Sequence, residues 1–145
     1  MKNILVSACL LGEPCRYDGK SKPCERVITL KNTYNLIPIC PEVMGGLPTP
    51  RTPSEICGER VLMKDGRDVT ENYNRGAETA LAIARENACT VAILKEKSPS
   101  CGSGLIHNGS FDGGLVEGDG ITTQLLKQNG IRVLGESEIT EDFAL

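Results

Sequence analysis

The sequence predicts an α/β fold: a three-layer, Rossmann-like arrangement with a mostly parallel sheet and helices on both faces. Three observations point there. Short apolar, partly β-branched runs recur at 4–8, 36–39, 90–94 and 131–134, apolar residues at helical spacing fill the stretches between, and glycine- or proline-bearing loops separate the two. Such alternation needs right-handed crossovers between parallel strands, and sheets of this kind bind ligands beyond the strands' carboxyl ends. At 145 residues the chain has the commonest size of one domain, 1–145, with one core and one site expected.

Residues 4–8 read as a buried strand, with Cys9 at its C-terminal end and a glycine- and proline-bearing loop over 12–22. Pro23 can occupy a first helical turn, and Val27, Ile28 and Leu30 predict a short helix ending near Asn35. The second strand, 36–39, delivers Cys40. Between 41 and 59, four prolines and three glycines predict a long ordered loop or lid. A minor strand is expected over 60–64, turning at Asp65-Gly66, and Asp68 with Glu71 forms a capping-box pattern. Ala77, Ala80, Leu81, Ala84 and Ala88 then recur at helical spacing. After the third strand, 90–94, a loop dense in small residues carries Cys101. Asp119 is expected to cap a helix carrying Ile121, Leu125 and Leu126, stopped by Gly130 before the closing strand 131–134.

Charge and composition narrow the function. A net charge of -3 lacks the basic excess that holds a phosphate backbone, which argues against nucleic acid as the primary partner. The apolar run at the N-terminus meets Glu13 and Arg16 too soon for a signal peptide or membrane span, so no membrane partner and a cytoplasmic location are expected. Neither a dinucleotide glycine fingerprint nor a Walker sequence is present. Seven cysteines, an odd number, in a chain able to build a core without disulfides suggest metal or catalysis. Three of them follow strands, and adjacent strands lie about 4.8 Å apart, so Cys9, Cys40 and Cys101 are expected to converge if their strands are neighbours.

These three sit in Ser7-Ala8-Cys9-Leu10-Leu11-Gly12, Cys40-Pro41-Glu42-Val43-Met44-Gly45-Gly46 and Ser98-Pro99-Ser100-Cys101-Gly102. With Cys15-Arg16-Tyr17-Asp18-Gly19 and Pro48-Thr49-Pro50-Arg51, the segments resemble a bacterial domain family, formerly of unknown function, that includes the thiouracil desulfidases. The resemblance covers nearly the whole chain. It implies a [4Fe-4S] cluster held by Cys9, Cys40 and Cys101, with one iron open to the sulfur of a thiolated pyrimidine such as 2-thiouracil, or of a similar small thioamide, and no net redox change. It also implies Glu42 and Ser98 as the polar residues nearest the reacting base, with Ser100 competing in the same turn. Thiolates are the soft ligands that suit iron–sulfur clusters, and three rather than four leave a metal position open. Glu42 is then expected to activate water, and Ser98 or Tyr17 to relay a proton to the ring nitrogen.

Bland readings account for the remaining candidates. Cys89 and Cys57 read as small buried hydrophobes, Cys24 as undecided, and Cys15 as the reserve ligand. Arg16 and Arg51 divide evenly between surface charges and anchors, and Asp18 is expected to fix the Arg16 loop. His107 reads as a solvated loop residue, while Asp112 and Glu117 carry no role. Gly45-Gly46 and Gly102-Ser103-Gly104 read modestly as ligand-side turns. Two other functions stay open: a non-catalytic metal- or cluster-binding sensing module, and a thiol redox relay, the latter weakened by the lack of a Cys-x-x-Cys pair.

Overall fold

The four apolar runs form one parallel sheet. In the computed structural model, which describes residues 1–145, the elements are β1 (Asn3–Ser7), α1 (Glu25–Ile28), β2 (Asn35–Ile39), α2 (Pro41–Met44), β3 (Ser54–Cys57), β4 (Arg60–Met63), α3 (Thr70–Glu86), β5 (Val91–Leu94), β6 (Leu105–His107), β7 (Leu115–Glu117), α4 (Ile121–Gln128) and β8 (Arg132–Gly135). The sheet runs β2-β1-β5-β8 with every pairing parallel. Strand order reverses between β1 and β5, which puts the strands preceding Cys9, Cys40 and Cys101 side by side. Pro38, which cannot donate to a ladder, lies on the edge strand β2.

Side-chain alternation along the strands builds two cores, one on each face. Leu5, Ala92, Leu94 and Val133 pack against Ala80, Leu81 and Ala84 of α3 and Leu126 of α4. Ile4, Val6, Val91, Ile93 and Leu134 pack against Leu10, Val27 of α1, Tyr34 and Ile139. The outcome is the expected three layers. A third cluster, Leu47, Val61, Met63, Val69 and Tyr73, lies beneath the antiparallel pair β3–β4.

Several local expectations are corrected. The stretch 41–59 is not all loop, since α2 opens it and β3 closes it. Cys9 sits in a single 3-10 turn, Ala8–Leu11, rather than at a strand end, and Gly12 closes that turn at φ 102°. Val69 occupies the N-cap of α3, so Asp68 and Glu71 make no capping box; Asp68 instead accepts from the Thr70 N–H at 2.9 Å and from Arg60 Nε at 2.8 Å. Ala88 lies beyond α3 in the left-handed region. Gly120 caps α4, while Asp119 accepts from the Gly104 N–H at 2.9 Å. The hairpin β6–β7 has no counterpart among the expected elements, its strands being only three residues each.

Candidate active site

Each candidate cysteine is placed by local backbone chemistry. Cys40 precedes Pro41, which disfavours helix for the residue before it, and Cys40 is accordingly extended (φ -134°, ψ 93°) where β2 turns into α2. Two glycines let α2 sit directly on α3. A Cβ on Gly76 would strike the backbone of Pro41, and one on Gly45 the backbone of Asn72. Gly45 is therefore explained by this close approach and not by ligand binding. Cys101 follows β5 in a turn whose Ser98 Oγ accepts from the N–H of Cys101 at 2.7 Å and of Ser100 at 3.1 Å. The Cys101 carbonyl accepts from Thr123 Oγ1 at 3.0 Å, tying the turn to α4. Gly120 is needed there too, because a Cβ would strike the Ser100 backbone.

These turns line one cavity of about 430 Å³ at the carboxyl ends of β1, β2 and β5, with Cys9, Cys15, Cys40, Cys101, Glu42 and Ser98 in its wall. Cys9 and Cys101 are buried and Cys40 half-buried. The structure thus brings together all five residues singled out from the sequence, and adds Cys15. The Cys15 thiol lies beside those of Cys9 and Cys40, and Cys40 Sγ donates a long hydrogen bond to the Cys15 carbonyl at 3.7 Å. The hydrogen bond with Cys15 and burial push the Cys40 thiol far above its ordinary range. For Cys15 the pull of Cys40 is outweighed by its hydrogen bond with Cys9 and by burial, which together push it up to about 11. Burial pushes Cys101 up to about 12 against the opposing hydrogen bonds of Ser7 and Ser100. All seven cysteines are free.

The donor set fits an iron–sulfur cluster. The thiols of Cys9, Cys40 and Cys101 line one cavity, and the donors are sulfur rather than the oxygen that suits hard cations. Three thiolates lining one cavity suit a multi-iron core with thiolate corners.

Glu42 enters the cavity from the first turn of α2, where its Oε1 accepts from Arg51 Nε at 3.1 Å. Arg51 is an anchor: its side chain is only 3% exposed. The two serines differ in their partners. Ser100 is 1% exposed and its hydroxyl is shared with Thr122 Oγ1 at 2.8 Å, whereas Ser98 lines the cavity and spends its oxygen only as an acceptor. The Ser98 O–H remains free to donate.

The other candidates divide. Arg16 lies over the Tyr17 ring at 5.8 Å and 3.8 Å from Asp18, whose carboxylate also accepts from the Lys20 N–H at 3.0 Å, so Asp18 fixes that loop as expected. Cys24, Cys57 and Cys89 do not line the cavity. Asp112 holds its own turn through Asn108 Nδ2 and the Gly114 N–H, and Glu117 is exposed on β7. His107 departs from expectation: it lies in β6, lines the cavity, and has a buried Nδ1 without a hydrogen-bond partner. The sequence reading singled out neither Glu55 nor Tyr73, and it also passed over Lys64, Lys95, Glu96 and Lys97 in the same wall. Glu55, 8% exposed, accepts from the N–H groups of Gly109 and Phe111 at 2.9 and 3.1 Å and holds the β6–β7 loop at the cavity. Tyr73, 1% exposed on α3, has an unpartnered hydroxyl, and burial raises its pKa strongly with the Glu42 charge adding to the effect. Along α3 Tyr73 falls at core spacing, which hid it; a tyrosine at a core-facing position, whose hydroxyl needs a polar partner, was the signal available.

A sequence model of the 2-thiouracil desulfurase family matches residues 4–138. The chain is 44% identical to the uncharacterized protein YbbK of Bacillus subtilis (strain 168) over 148 aligned positions, covering 95% of this chain and 98% of that protein. A solved structure described as the [4Fe-4S]-dependent thiouracil desulfidase TudS (DUF523Vcz) superposes with a TM-score of 0.91 at 48% identity, covering 96% of this chain and 93% of the other.

Proposed function

Since the chain belongs to the 2-thiouracil desulfurase family, we propose that it is a [4Fe-4S]-dependent desulfidase that converts the C=S group of a thiolated pyrimidine, 2-thiouracil the first to test, to C=O with release of sulfide. In this reading Cys9, Cys40 and Cys101 hold the cluster, and Glu42 and Ser98 act on the substrate. One observation carries it: three cysteines from the turns that follow three adjacent parallel strands share a cavity wall with a carboxylate and a free hydroxyl. No helix is long and apolar enough to cross a membrane.

When bound, a cluster with one iron lacking a protein ligand supplies a thiophilic Lewis acid for the substrate sulfur. The chain's own residues manage water and protons. Glu42, oriented through Oε1, accepts the proton of the water that attacks the thiocarbonyl carbon. Ser98, whose oxygen is tied to two backbone N–H groups, donates its O–H to the ring nitrogen as charge develops there. The hydrolysis is balanced without an oxidant or reductant, because the carbon exchanges sulfur for oxygen at the same oxidation level.

Anaerobic reconstitution followed by sulfide assay with 2-thiouracil tests the activity. The Glu42→Gln variant is expected to keep the visible absorbance of the cluster and lose about 100-fold or more in kcat. Undiminished turnover would remove Glu42 from the mechanism.

A further inference from the structure

Resting on the assignment of Glu42 above, we propose that Arg51 is a positioning residue for the desulfidase reaction, setting the Glu42 carboxylate and the Cys15–Tyr17 loop in their working arrangement with one guanidinium. A buried cation is tolerated only when its hydrogen-bonding groups are met, and all of Arg51's nitrogens are engaged. Nε donates to Glu42 Oε1 at 3.1 Å, and Nη2 to the Cys15 carbonyl at 3.0 Å. Nη1 donates to the Pro48 carbonyl and to Thr49 Oγ1, each at 3.1 Å. The Arg51 backbone N–H also donates to the Tyr17 carbonyl at 2.7 Å, so the segment carrying Arg51 and the Cys15–Tyr17 loop are joined twice. Three segments that meet at the cavity, residues 15–17, α2 and 48–53, therefore share this single side chain.

The consequence is directional. With Oε1 held by Nε, the other carboxylate oxygen of Glu42 is left to take a proton from water, and the carboxylate cannot rotate without breaking a charge-assisted hydrogen bond. The same guanidinium plane fixes the carbonyl of Cys15, so the loop beside the cluster ligands and the aim of the carboxylate are set together. A lysine could supply the charge, but a single ammonium cannot reproduce a planar fork that reaches Glu42 and Cys15 at once.

The test uses the full chain loaded with its cluster and 2-thiouracil as substrate. Arg51→Lys is expected to keep the cluster's visible absorbance, hold KM within about 3-fold, and lower kcat by about 10-fold or more. In Arg51→Ala, added guanidinium ion is expected to restore part of kcat, and in the Arg51→Ala, Glu42→Gln double variant it should restore nothing. Loss of the cluster in Arg51→Lys, a raised KM with kcat intact, or guanidinium acceleration of the double variant would each overturn the proposal. Full turnover by Glu42→Gln alone would instead strike the Glu42 assignment, whatever the Arg51 variants do.

Discussion

At the scale of single residues, function at this site depends on what each side chain has left after its internal hydrogen bonds are made. Ser98 and Ser100 lie two positions apart in one turn, yet Ser100 is sealed against Thr122 while Ser98 keeps an unspent donor at the cavity. Opposite phenotypes follow. Ser98→Ala is expected to lower kcat by about 10-fold or more while leaving the melting temperature nearly unchanged. Ser100→Ala leaves Thr122 without its buried partner and is expected to cost about 1–3 kcal/mol of stability with a smaller effect on kcat, read from urea denaturation and steady-state kinetics. Equal kinetic losses in the two variants would remove the distinction. Cys15 illustrates the same principle among thiols: a chain position alone cannot separate a ligand from its neighbour when their sulfurs lie side by side.

Elements matter through how closely their backbones approach. The first turn of α2 carries Glu42 and follows Cys40, and it rests on α3 because Gly76 presents no Cβ to Pro41. Since the obstacle to a new Cβ is backbone, α2 would have to move as a unit. Gly76→Ala is expected to destabilise the chain by about 1–3 kcal/mol and to lower cluster occupancy after reconstitution, measured by denaturation and by iron per chain. Full stability with full occupancy would mean that α2 is not held by this contact. Gly120 plays the parallel part for the Ser98–Cys101 turn against α4, so two of the three proposed ligands are each seated through a glycine contact between elements.

For the whole molecule, the parallel sheet gathers distant parts of the chain at one end, and a cofactor bound there bridges segments that otherwise meet only through packing. Binding restricted to the folded state adds stability by mass action. The cluster-loaded chain is therefore expected to melt at least ~5 °C above the cluster-free chain in anaerobic calorimetry, and Cys9→Ser should abolish the difference. Coincident melting curves for loaded and cluster-free chain would contradict a cluster held across several strands. The sequence by itself determined the class of fold and the four strands, because apolar periodicity is a local signal, while the family resemblance carried by the motifs around Cys9, Cys40 and Cys101 pointed to the residues that the proposed chemistry uses. Short elements such as α2 and β6–β7 stayed hidden, since a helix of four residues or a strand of three has too little periodicity to announce itself. Only the tertiary structure decided which serine faces the cavity, that Arg51 is an anchor, that Cys15 joins the other thiols, and that Tyr73 and His107 lie in the wall. Those outcomes depend on contacts between residues far apart in the chain, and such contacts exist only once the backbone has closed around them.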